Sequence, residues 1–154
     1  MKKLPSFILV VLLFVSTLFF VSPNAFAVDN TLQSYVDQYL VGQGLSGGSI
    51  LGQDGAQLAA SSGVNVSDSE AKALITLFKD PKSAFSSIVT VNNTRYIPTR
   101  ADSEVIYATK GATGVVAVKT PKSIVIGTYN ESLRPDTAGS IVGKLGGFLA
   151  ENDS

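Results

Sequence analysis

The chain has 154 residues, twelve Lys and Arg against twelve Asp and Glu, and no histidine, cysteine or tryptophan. The first two absences remove the usual general base, the thiol nucleophile and the commonest metal ligand, so an enzyme, a metal site and a cofactor are not expected. The balanced charge lacks the concentrated positive field that nucleic-acid binding needs, which excludes that class of partner as well.

In chain order, Met1-Lys2-Lys3 is a basic head, residues 7–21 are an almost unbroken apolar run, and Ala25-Phe26-Ala27 is the small-x-small pattern that signal peptidase reads. The run is shorter than the ~20 residues a membrane-spanning helix requires. Residues 1–27 are therefore read as a signal peptide and residues 28–154 as a single domain, secreted or periplasmic once the leader is cleaved. A domain of this size can bury a core without disulfides. A small exported protein without cysteine is nevertheless unusual, whereas the same composition is ordinary in a reducing cytosol.

Asp29-Asn30-Thr31 offers N-cap oxygens ahead of Leu32, Tyr35, Val36, Tyr39 and Leu40, whose spacing puts them on one face of a short helix ended by Gly42 and Gly44. Residues 47–52 and 57–61 flank an Asp54-Gly55 turn and predict a β-hairpin. Ser67-Asp68-Ser69-Glu70 is a capping box before Ala71, Leu74, Ile75 and Phe78, and the helix it starts should stop at Asp80-Pro81. A brief helical turn is expected over residues 82–85. A second hairpin spans residues 88–99 around Asn92-Asn93, with Pro98 marking a bulge or an unpaired edge. Three β-branched runs (residues 105–108, 115–118 and 124–129), separated by turn residues, then predict an antiparallel meander with one face on a core and the other free to meet water. Pro135 opens a last helix whose apolar stripe is Ile141, Val142, Leu145, Phe148 and Leu149. Without strand–helix alternation, the class is α+β with an antiparallel sheet.

Several of these segments also resemble one family. Gln33-Ser34-Tyr35-Val36-Asp37-Gln38-Tyr39-Leu40, the Ile50-Leu51-Gly52-Gln53-Asp54-Gly55 run, Lys110-Gly111, Val118-Lys119-Thr120, Gly127-Thr128-Tyr129-Asn130-Glu131 and the C-terminal residues 142–149 follow the order found in profilins, most nearly those of amoebae and plants. The resemblance covers nearly all of residues 28–154. It implies a central antiparallel sheet with the N- and C-terminal helices on one face and smaller helices on the other, and a protein, expected to be a monomer, that binds monomeric actin and modulates its polymerisation. It also implies a groove for proline-rich peptides between the terminal helices and adds phosphoinositides as ligands of basic residues.

Carried over by position, the actin set is Arg100, Lys110, Lys119, Thr137 and Lys144, with Glu104 and Thr109 standing where relatives carry basic residues. The peptide groove reduces to Leu32, Tyr35, Leu58 and Phe148, with leucines where the family has tryptophans. Leucine supplies apolar area but neither a flat face nor an indole donor, so proline-rich binding is expected to be weak or lost. The leader conflicts with a cytosolic actin partner. Two readings therefore stand: a cytoplasmic, cytoskeletal actin-binding protein, or an exported interaction module of the same fold with a non-self or non-actin partner.

Two motifs fail. Gly44-Leu45-Ser46-Gly47-Gly48 fits a nucleophile elbow but has no histidine to complete it, and residues 139–145 imitate a phosphate loop within a predicted helix. The sequons at Asn65, Asn92 and Asn130 matter only in a eukaryotic secretory pathway.

Overall fold

A computed structural model describes residues 23–152, so the basic head and the apolar run on which the signal-peptide reading rests lie outside the described residues. The chain divides into an N-terminal segment ending at Thr31 and a compact unit from Leu32 onward. Seven strands form one antiparallel sheet in the order β2-β1-β7-β6-β5-β4-β3. They are β1 (Gly47–Gly52), β2 (Gln57–Ala60), β3 (Val89–Val91), β4 (Thr94–Ala101), β5 (Val105–Lys110), β6 (Thr113–Lys119) and β7 (Ser123–Tyr129). The helices are α1 (Pro23–Tyr39), α2 (Asp68–Lys79) and α3 (Pro135–Asn152), with 3-10 turns at Val41–Gln43 and Pro81–Ser86.

The turns follow from local chemistry. Gly55 takes φ +92° in the first hairpin, and Asn92 and Asn93 take φ 52° and 60° in the second, the left-handed pair that a two-residue hairpin loop requires. The register of β4 against β5 shifts between Pro98 and Arg100, the bulge expected at a proline that cannot donate to the ladder.

Helices cover both faces of the sheet. On one, Val36 of α1, Leu40 just after it, and Ala138, Val142, Leu145 and Leu149 of α3 pack on Ile50, Val116, Val125 and Tyr129. On the other, Ala71, Leu74, Leu77 and Phe78 of α2 pack on Leu51, Ile106, Val115, Ala117, Ile124 and Ile126. Gly127 makes the close approach of α3 feasible, because a Cβ there would stand 2.5 Å from Val142 Cγ2.

The capping box forms as read: Ser67 Oγ accepts from the Glu70 amide at 3.2 Å, and Glu70 Oε1 accepts from the Ser67 amide at 3.2 Å. Glu70 does more than cap. Its carboxylate also accepts from the amides of Asn92 (3.0 Å) and Asn93 (2.8 Å), tying α2 to the β3–β4 turn. Asn92 Oδ1 accepts from the Asn65 amide and its Nδ2 donates to the Gly63 carbonyl, so that side chain is committed to the fold.

Two expectations are corrected. The meander has no water-facing side along β6 and β7, because Val115 and Ala117 enter one core while Val116 enters the other. Their continuous apolar runs, rather than alternating ones, are the pattern of strands covered on both faces. Helix α1 does not begin at an Asp29–Thr31 cap, since it is already helical from Pro23 and passes through the predicted Ala27/Val28 cleavage point.

Candidate functional site

The bulge at Pro98 re-aims the end of β4. Cross-strand partners share a face, and Ile97 pairs with Thr109 while Arg100 pairs with Tyr107, so all four lie on the side that α3 covers further along. The Arg100 guanidinium stands over the Tyr107 ring, 5.6 Å from its centroid, and 3.6 Å from the Asp102 carboxylate. Asp102 accepts amide hydrogen bonds from Glu104 and Val105, each at 2.8 Å. The Glu104 amide, then the Val105 amide and the Arg100 charge, hold the Asp102 carboxyl below its ordinary range against a smaller opposing effect of burial.

Arg100 lines an open groove of about 490 Å³ between the ends of β4–β6 and the glycine-rich flank of α3, and Lys119 borders it at the end of β6, although by alternation with Val115 and Ala117 it belongs to the α2 face, where it also lines a small cleft with Gln53, Ile75 and Phe78. Glu104, the acidic departure from the basic pattern, lines it too, and its carbonyl accepts from the Lys119 amide at 2.8 Å. Gly139 closes the groove's inner wall, where a Cβ would collide with Tyr107 Oη.

The other cations are not gathered there. Lys110 ends β5 three residues after Tyr107, about 10 Å along the strand and, by alternation, on the opposite face. Thr137 is exposed in the first turn of α3, two residues before Gly139. Lys144 lines a different depression on the far flank of α3.

That second depression, about 360 Å³, is bounded by Tyr39, Gln43, Ile141, Lys144, Leu145 and Phe148. Helices α1 and α3 meet here in antiparallel sense, with Tyr35 against Phe148 and, one turn on, Tyr39 towards Lys144 and Ile141. The Tyr35 and Phe148 rings make an edge-to-face pair at 5.4 Å and 85°, and Tyr35 and Tyr39 lie 5.9 Å apart at 50°. Such edge-on pairs are favoured by the ring quadrupole. Phe148 is 44% exposed and Tyr39 48%.

Leu32 packs against the terminal-helix core. Leu58 reaches the same side through a bulge: Ile50 pairs with Ala59 and Leu51 with Gln57, which leaves Leu58 as the extra residue. Its Cδ1 lies 3.8 Å from where a Gly52 Cβ would stand, on the face that Ile50 shares. Leu58 is 43% exposed. Sequence reasoning missed Tyr39, which it placed on the inner stripe. The buried positions are Val36 and Leu40, and Tyr39, about 100° round the helix from Leu40, falls at the stripe's edge. A tyrosine at that edge, with its polar tip, was the available signal.

Comparison with known proteins follows these features closely. The profilin family model matches residues 30–154. The chain belongs to the profilin family. It is 41% identical over 121 residues to profilin-1 of Dictyostelium discoideum, covering 78% of this chain and 96% of that one, and 43% identical over 118 residues to profilin-2 of Acanthamoeba castellanii, covering 76% and 94%. The crystal structure of Acanthamoeba castellanii profilin II superposes with a TM-score of 0.77 at 40% identity, over 80% of this chain and 99% of that one. Profilins are non-enzymatic actin-binding proteins, and this profilin offers no competing chemistry at its elbow-like motif. Ser46 Oγ is 3.3 Å from Thr128 Oγ1, and the residues that imitate a phosphate loop lie within α3. No cluster able to hold a metal ion occurs among the described residues.

Proposed function

We propose that this profilin binds monomeric actin one-to-one and modulates polymerisation through Arg100, Lys110, Lys119, Thr137 and Lys144. The observation that carries the reading is the groove shared by Arg100 and Lys119 beside the start of α3, in a chain whose family binds actin monomers. Exposed cations at the rim of an interface steer encounter with an acidic partner and fix register more than they add affinity. Ile97, 66% exposed on the strand and face of Arg100, adds apolar area to that side. Arg100 and Lys119 are the centre of the set, and Lys144, facing the opposite depression, is its outlier. Titration of the full chain into monomeric actin, followed by polymerisation kinetics, tests the reading; no complex and no kinetic change would end it.

The peptide groove is read as weakened towards plain polyproline. Aliphatic Leu32 and Leu58 occupy one end, so a ring of the ligand meets no flat partner there. Phosphoinositides are assigned to the same basic residues as further ligands. The second reading, export, is motivated by the basic head, apolar run and Ala25-Phe26-Ala27, residues that lie outside the family match. Mass spectrometry of the N-terminus of the protein from its native source decides it: Val28 as first residue supports export, and a retained residue 1–27 segment in a cytosolic protein removes it.

A further inference from the structure

The two edges of the sheet, β2 and β3, are finished differently. At β2 the ladder is bulged at Leu58, and the outward Ala60 carbonyl accepts from Gln33 Nε2 at 2.7 Å. Bulges and covering groups keep an edge strand from pairing with another chain. The β3 edge has neither. Its register with β4 is regular through Val89–Tyr96, Thr90–Arg95 and Val91–Thr94. The two-residue Asn92-Asn93 loop makes Val91 and Thr94 a hydrogen-bonded pair. By antiparallel alternation the Thr90 amide and carbonyl therefore point away from β4, as do those of Ile88 two residues earlier. Nothing among the described residues bonds these four groups.

The side chains along this edge divide by face. Val89, Val91 and Tyr96 enter the α2 core, which puts Ile88, Thr90 and Arg95 on the other face. Ile88 is 43% exposed. Arg95 is exposed and stands in none of the ion pairs found among the described residues, which join Lys72 to Asp68, Arg100 to Asp102 and Arg134 to Asp136. Open backbone groups beside an apolar side chain and a free guanidinium are complementary to an extended backbone that carries an apolar residue and a carboxylate.

We propose that the free edge of β3 takes an extended acidic segment of a partner protein as an eighth, antiparallel strand. A residue placed opposite Thr90 exchanges two hydrogen bonds with it, and its side chain rises on the Arg95 face. It stands two strand spacings from Arg95, about 9.6 Å, with the short Thr90 side chain between, a gap that a glutamate and an arginine close together. The residue two positions along comes opposite Ile88 on the same face, so the segment reads apolar-x-acidic. Main-chain bonds supply the docking, and these two side chains supply the choice. A second copy of this chain fits less well. Antiparallel pairing about Thr90 would set Ile88 opposite Asn92, whose amide is already given to Glu70, and would bring both Arg95 side chains to one face. The edge uses none of the residues assigned to actin or to the peptide groove.

The probe is the blocked heptapeptide Thr-Val-Thr-Glu-Thr-Val-Thr, titrated into the full chain and followed through the backbone amide signals by nuclear magnetic resonance. Binding is expected to shift the Ile88 and Thr90 signals and to slow hydrogen exchange at both amides. The same peptide with lysine for glutamate should bind about fivefold more weakly, the scale of an exposed ion pair, and Arg95→Gln should erase that difference. Thr90→Pro removes an outward donor that the β4 ladder does not use, so it should leave the denaturation midpoint little changed and weaken the peptide by about tenfold or more. N-methylation of the peptide's glutamate should weaken binding as much without touching the protein. Absence of binding, or shifts confined to other amides, would overturn the site. Equal affinity of the glutamate and lysine peptides would overturn the acidic partner, and a wild-type dimer in sedimentation that Thr90→Pro returns to monomer would overturn it in favour of a second copy.

Discussion

The two faces of the sheet use their polar groups in opposite ways. On the α2 side, one carboxylate, Glu70, accepts from the amides of Ser67, Asn92 and Asn93, and Asn92 is held at both side-chain atoms. On the terminal-helix side, Tyr39, Phe148 and Lys144 stand exposed around a depression with few internal partners. A polar group satisfied within the fold contributes stability and little recognition, and one left at the rim of an apolar groove does the reverse. The α2 face holds the sheet in shape, and the α1–α3 face and the Arg100–Lys119 groove are where the proposed function places its partners.

Substitutions break or sharpen that contrast in order of size. Leu74→Ala, at a fully buried position of α2, should cost about 2–5 kcal/mol by loss of burial and a residual cavity, read from urea denaturation. Glu70→Ala should cost about 2 kcal/mol, because it removes the Glu70 half of the capping box and strands the two turn amides; Glu70→Gln should recover part of the loss by keeping an acceptor oxygen. Asp102→Asn should have a smaller effect that depends on pH. The folded carboxyl sits below its ordinary value of 3.8, so its contribution is present above that value and is lost as pH falls through and below it. Wild type and Asp102→Asn should therefore differ in denaturation midpoint at neutral pH and converge in acid. Phe148→Ala should cost about 1 kcal/mol or less in stability, since the ring is nearly half exposed, yet it should weaken peptide binding markedly. A Phe148 variant that unfolded like the Leu74 one would make the ring a core element and dissolve the contrast.

What could be read from sequence was local. The Ser67/Glu70 box, the Asn92-Asn93 loop, the Pro98 bulge and Pro135 at a helix start each involve neighbours within a few positions, and each is where its chemistry puts it. The larger resemblance to profilins extended this to the sheet and to the placing of helices on its two faces. What was not legible depends on contacts across the chain. Nothing near Glu70 announces that it also serves amides 22 and 23 positions away. The bulge that turns Leu58 towards the terminal helices is visible only as a register shift between Ile50 and Leu51. Lys144 parted from Arg100 and Lys119 for a rotational reason: each residue turns about 100° around a helix, so Lys144 and its neighbour Gly143, which lines the Arg100 groove, look towards different depressions. Position-by-position transfer names the residues of a face without telling on which flank each one points.

The most direct test of the account is the affinity of the full chain for monomeric actin, measured for wild type and for Arg100→Glu combined with Lys119→Glu. Wild type should form a one-to-one complex and slow spontaneous nucleation, and the double reversal, at exposed Arg100 and half-buried Lys119 of one groove, should weaken the complex by about tenfold or more while lowering the denaturation midpoint only by what the lost Arg100–Asp102 pair contributes. Equal binding by the two proteins would contradict the placing of the actin face at this groove, and absence of a wild-type complex would contradict the proposed function.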